Sequence, residues 1–225
     1  MFAITPHPRL ARFVLTRDEN EAESAMILNH VIGMFIHPRA EWEKIREQSC
    51  SVGRCMLGHV LLLAAVPPVA GYIGTTQIGW QIGAREAVRL TPESGLLLSV
   101  AYYFAMVVGV LSMGLMIRWM AHTYNAHASL GDAVALAAYT ATPLFLIGIM
   151  QLYPLLWLNF LIGLPALAYT VYLLYTGAPI LMRIEPERGF LFSSAVLAVG
   201  LVALVMLLAV TALLWGSGFG PVFTD

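Results

Sequence analysis

From Leu155 to Pro179 the chain carries no charged side chain. A run of that length can cross the hydrocarbon of a bilayer, which takes about 20 mostly apolar residues. Four more apolar runs qualify. The five are read as spanning segments at Cys55–Gly74, Leu96–Arg118, Ala133–Met150, Leu155–Thr176 and Phe190–Trp215. They should be helices, because in hydrocarbon every backbone amide needs a partner within its own segment. Of 225 residues, 11 % are charged, against about 25 % in a soluble domain. The expected fold is all-α: a polytopic membrane protein with five transmembrane helices. The net charge of −1 offers no field for nucleic acid, and no basic stripe is present. The lipid bilayer is the first expected partner, with other membrane proteins next; the sequence does not give the oligomeric state.

Lys and Arg set the orientation. With the N-terminus in the cytoplasm, ten of the 12 basic residues are inside and two, Arg85 and Arg89, are outside. The C-terminus then lies outside. No cleavable leader is expected, since the first residues lack an apolar core. Cys50 and Cys55 are read as free thiols on the reducing side. The domain reading is a flexible segment 1–23, a membrane domain 24–215 and a short, loosely ordered non-cytoplasmic tail 216–225.

An N-terminal cytoplasmic pair of interfacial helices, 24–48, is expected ahead of the first span. Over Ser24–His37, residues Asn29, His30, Gly33 and His37 share one arc of about 100° on an otherwise apolar helix. Such a helix is too short to span and should lie in the interface or against the bundle. Pro38 suits the first turn of a second helix. Trp42 among the charges of Pro38–Gln48 is expected at the headgroup layer.

The order of these parts resembles a known family. An apolar interfacial helix precedes His37-Pro38 and Trp42 with Ile45, five spans follow, and "YTATPLFLIGIM" (Tyr139–Met150) turns tightly into a span ending "YLLYTGAPILM" (Tyr172–Met182). The chain from Met26 to Trp215 is similar to the Yip family, the Ypt/Rab-interacting five-pass membrane proteins, and especially to its short prokaryotic members. The family's eukaryotic members bind small GTPases in vesicle transport, but their acidic aromatic-glycine motifs are absent here. For the prokaryotic branch the resemblance implies the fold and a place in the inner (cytoplasmic) membrane, without a settled activity.

Candidate sites come from residues that hydrocarbon disfavours. Pro67 and Pro68 fall mid-way in the first span, and two successive prolines remove two donors and clash a turn back. Pro143 and Pro165 interrupt the third and fourth. Broken helices either shape a bundle or line a transport site. Asn159 should find a partner on another helix or in water. Tyr169, Tyr172 and Tyr175 form a slowly turning file, suited to an aromatic belt with interhelical hydrogen bonds or, with Tyr139 and Thr142, to a polar crevice. The candidate crevice or transport path is therefore Pro67, Pro68, Tyr139, Thr142, Pro143, Asn159, Pro165, Tyr169 and Tyr172. Arg118 and Asp132 are read as an interfacial anchor and a helix cap, able also to pair across the loop between them. A metal site from His37, Glu41, His59 and His122 is conceivable, the rival being scattered interfacial histidines. Small residues at Ala133, Ala137 and Ala141, and at Ala105 and Gly109, are expected to pack helices together within the bundle. No HExxH, CxxC or GxxxxGK pattern occurs, so neither a cofactor nor enzymatic catalysis is expected. Two functions lead: a scaffold or adaptor engaging membrane proteins or lipid, or a small-solute, ion or lipid transporter using the broken helices; a metal-dependent membrane enzyme built on the histidine site is the third.

Overall fold

The computed structural model describes residues 30–48, 51–80, 87–124, 126 and 128–224. Segment 1–23, Asn29, Cys50 and Arg85 lie outside these. Among the described residues there are seven helices: α1 (30–36), α2 (Pro38–Gln48), α3 (Val52–Ile78), α4 (Pro92–Thr123), α5 (Leu130–Leu152), α6 (Leu156–Met182) and α7 (Pro186–Gly216). The last five are long and apolar enough to cross a membrane.

Local chemistry explains where the spans begin. Thr91 caps α4 by accepting from the Ser94 amide, with Pro92 at the first helical position. Ser129 and Asp132 form a reciprocal capping box at the start of α5, at 2.9 and 3.1 Å, satisfying two donors that a helix start leaves unpaired. Asp132 is thus a cap. Arg118 instead bonds His122 one turn on, at 3.0 Å.

Residues 131–140 of α5 are all buried, which makes this helix the axis of the bundle. Its small side chains let neighbours close in. Gly114 of α4 lies against Val134, where an added Cβ would come within 2.7 Å of a methyl. α6 packs on α5, and α7 packs on α6, with the buried residues of α7 confined to Gly189–Val196. The stripe at Ala105 and Gly109 does not follow suit. Both residues are exposed, and a Cβ on Gly109 would meet open space, because α4 turns its other side to the bundle.

Pro67-Pro68 breaks α3 as the missing donors require, with a turn at Ala64–Ala65 and wide π-type turns at Cys55–Val60 and Gly74–Ile78. Tyr103 of α4 donates its hydroxyl to the Leu61 carbonyl just before the break, at 3.1 Å. Pro143 likewise follows a break at Ala141, near the start of a new helical segment where its absent N–H costs nothing. Pro165 does not interrupt its span. α6 runs unbroken through it, since a lone proline with an exposed ring removes only one bond.

Two further expectations are corrected. Cys55 is disulfide-bonded rather than a free thiol. The C-terminal tail is tied down rather than loose: Thr91 donates to the Val222 carbonyl at 3.0 Å, Thr224 to the Arg89 carbonyl at 2.9 Å, and Leu90 bridges to Phe223.

Candidate functional site

A buried polar cluster forms where α1 and α2 fold onto the bundle. Helical bonding carries across Pro38, from the His37 amide to the Gly33 carbonyl at 2.8 Å and from the Glu41 amide to the His37 carbonyl at 3.0 Å. The bend lets α2 turn its first residues back toward α1. Glu41 is 3 % exposed and His30 6 %, and their side chains pair directly. Lys44 donates to the second Glu41 oxygen at 3.1 Å. The other His30 ring nitrogen meets the Gln48 amide oxygen at 3.0 Å. Both ring nitrogens of His30 are thus engaged, one by Glu41 and one by Gln48. Gly33 leaves room for the Glu41 carboxylate, which a Cβ there would displace.

Trp42 is fully buried. Its indole lies over Gly177 of α6, where a Cβ would overlap the ring. Tryptophan at the end of a membrane helix normally finds cover among headgroups; here the cover is protein. Tyr139 stands at the centre of the cluster, with Trp42 at 6.3 Å, His30 at 6.0 Å and His59 at 4.3 Å between ring centroids.

His59 reaches deeper. It is 1 % exposed and sits seven residues into α3, about 10 Å along the helix at 1.5 Å per residue. Its Nε2 meets the Thr142 hydroxyl at 2.9 Å, and Thr142 donates onward to the Ala138 carbonyl at 3.4 Å. With that proton committed, Nε2–H is the donor and Nδ1 is a bare acceptor. Nδ1 is buried without a partner, as are Trp42 Nε1 and Thr140 Oγ1.

The structure unites some of the candidate residues and disperses others. Tyr139, Thr142, Glu41, His59 and Trp42 belong to one cluster, with Pro143 buried beside Thr142. Pro67 and Pro68 are buried in the break of α3, where Pro67 packs on Gly148 so closely that a Cβ there would overlap its ring. Asn159 stays local: its amide donates to the Tyr153 and Leu155 carbonyls at 3.0 Å each, fastening the α5–α6 turn. Pro165 is exposed. Among the described residues no three metal-capable side chains come together: His37 is exposed and His122 is held by Arg118. The tyrosine file clamps helices. Tyr169 donates to the Met34 carbonyl of α1 at 2.7 Å and stacks on Phe35, Tyr175 bonds Ser194 of α7 at 2.8 Å, and Tyr172 is exposed beside Tyr169.

Sequence reasoning placed His30 on the polar arc of the first helix without a partner, and missed Gln48 and Gly177. Gly177 lay inside the quoted "YLLYTGAPILM" but carried no stated reason. Tyr169→Phe should loosen α1 by about 1 kcal/mol, the net value of one such hydrogen bond; faster hydrogen exchange at residues 31–36 is the readout.

Comparison with known proteins follows the same boundaries. The family model for the Yip1 domain matches residues 32–207. The inner membrane protein YohC of Escherichia coli K12 is 45 % identical over 192 residues, covering 85 % of this chain and 98 % of that protein. The YohC of Escherichia coli O6:H1 matches to the same extent. No solved structure matches.

Proposed function

The chain belongs to the Yip1 family and is an integral inner membrane protein, and from that premise we propose that it acts as a non-enzymatic scaffold whose N-terminal helical pair engages lipid or other membrane proteins. One observation carries the reading. α1 is fixed on one side by Tyr169, Glu41 and the buried Met34, yet shows Ile32, Phe35 and Ile36 outward at 54, 46 and 62 % exposure. An apolar ridge held rigidly beside a charged helix has the form of an interfacial docking face. The excess of basic residues on this side supports a cytoplasmic location for the ridge, with the tail at the opposite surface.

A photo-crosslinking amino acid at Phe35, activated in native membranes, tests this. Discrete protein or lipid adducts are expected, and Ile32→Glu with Ile36→Glu should abolish them while the five spans stay inserted. The same adducts from the double variant would refute the docking face.

The rival reading is a small-solute, ion or lipid transporter. It draws on the interrupted α3 and α5 and the buried His59–Thr142 pair. Against it, Gly148 packs directly on Pro67, so the side of the α3 break that faces α5 is closed by protein. Reconstituted vesicles should show no flux across a panel of solutes; measurable flux lost on His59→Leu would favour the rival.

A further inference from the structure

The apolar ridge of α1 can be given a depth, because α1 is fastened to a spanning helix. α6 begins at Leu156. The exposed Trp157, Phe160 and Leu161 put that start at the edge of the hydrocarbon, where tryptophan gathers. A core of about 30 Å takes up about 20 residues of helix, so α6 leaves the hydrocarbon near Gly177. Tyr169 stands eight residues short of that exit, about 12 Å inside, and tilt of the helix would only put it deeper. Its side chain leans toward the start of α6, away from the exit. Phe35 stacks on the Tyr169 ring at 5.3 Å between centroids, 9° from parallel.

Two independent observations agree with that depth. Pro38 has no N–H, so the Met34 carbonyl four residues earlier loses its helical donor. Tyr169 donates to that same oxygen at 2.7 Å. In water solvent would satisfy such a carbonyl; within hydrocarbon a protein donor is needed. The charges of α2 also begin where α6 leaves the core. The chain climbs from the Met34–Tyr169 contact to Trp42, which lies over Gly177. Glu43, Lys44, Arg46 and Glu47 therefore follow at or beyond the exit. Arg39, about a turn deeper than Trp42, has a stem long enough to return its guanidinium to the headgroups.

We infer that α1 and the elbow at His37–Pro38 form a re-entrant hairpin within the leaflet on the α2 side, and that phospholipid acyl chains cover the ridge of Ile32, Phe35 and Ile36. α1 descends from His30, which meets Gln48 near the far end of α2, to Phe35; α2 climbs back. The occupant is lipid because the ridge continues a surface that lipid already covers. Leu161, Pro165, Ala168 and Tyr172 are exposed along one side of α6, at helical spacing. Tyr169 flanks that stripe, between Tyr172 and Phe35. The inference rests on the ridge being a docking face and names what it docks.

The test uses the full chain in vesicles of phosphatidylethanolamine and phosphatidylglycerol. A fluorescent amino acid replaces Ile36 in one preparation. In two reference preparations it replaces Glu43, exposed among the charges of α2, or Val205, exposed on the apolar half of α7. Two contact quenchers are compared: bromine carried on the phospholipid acyl chains, and iodide in the water. Position 36 should follow position 205, losing severalfold more emission to bromine than to iodide, and position 43 should show the reverse. Iodide quenching at 36 comparable to that at 43 would overturn the insertion. Silence toward both quenchers would overturn it too, by showing a cover of protein, a second copy included. A chain that captures no partner protein leaves these outcomes unchanged, whereas discrete protein adducts at Phe35 with silent bromine would sink the lipid occupant alone and keep the scaffold. Should the label at position 36 dislodge α1, the unsubstituted chain decides. A carbene released from a diazirine on the acyl chains should insert at the ridge, and hydroxyl radicals generated in the water should spare Phe35; radical attack on Phe35 would reject the hairpin.

Discussion

Trp42→Ala should release α1 and α2 from the membrane domain. The indole is wholly buried over Gly177 and faces Tyr139. Truncating a buried tryptophan typically costs about 3–5 kcal/mol. Here the loss falls on one docked element rather than on the five spans, whose mutual packing does not use Trp42. Hydrogen exchange at residues 31–48 should therefore quicken by roughly a hundredfold or more, at about 1.4 kcal/mol per decade, while α5 stays protected. Gly177→Val is the mirror experiment. It leaves the tryptophan in place and fills the notch with Cβ and two methyls, so it should reproduce the same local loosening. Unchanged exchange in both variants would mean that the pair is held by something other than this socket.

Glu41→Leu should be nearly as damaging, for a different reason. The carboxylate joins His30 and Lys44. Lys44 is solvated, with its side chain 61 % exposed, and can turn to water; His30 is buried and cannot. Removing one partner of a buried pair costs about 3–5 kcal/mol, mostly from the group left behind. The lower end applies, because His30 keeps its bond to Gln48. The double variant His30→Leu with Glu41→Leu removes both polar groups and should recover most of that stability. A double-mutant cycle read by denaturation in mild detergent checks the coupling. Additive single effects would show that the two side chains act independently.

The five spans were legible because hydrocarbon is an unforgiving solvent: a charge-free run such as Leu155–Pro179 has few alternatives to crossing. The breaks were legible where prolines removed donors in tandem, at Pro67-Pro68, or stood near a new helix start, at Pro143. Pro165 misled because a single missing bond with an exposed ring does not stop a helix. The polar cluster was legible only in fragments. Glu41, His59, Tyr139 and Thr142 each drew attention, but what joins them is the fold-back of α1 and α2, which helical periodicity cannot describe. His30 and Glu41 stand eleven positions apart and meet only across the bend at Pro38. Trp42 was assigned to headgroups because the notch that receives it is an absence, the missing side chain of Gly177.

The tethered C-terminal tail bears on how the domain sits in membranes of different thickness. α7 has 31 residues, about 46 Å of helix, against a hydrocarbon core of about 30 Å. A free helix would absorb that surplus by leaning on its own. This one is clamped near its start, where Gly189 presses on Pro179 and Tyr175 grips Ser194, and again past its finish, where Val222 and Thr224 are bound to Thr91 and Arg89. A beam pinned at both supports cannot swing alone, so a thinner bilayer must be met by inclination of the whole bundle.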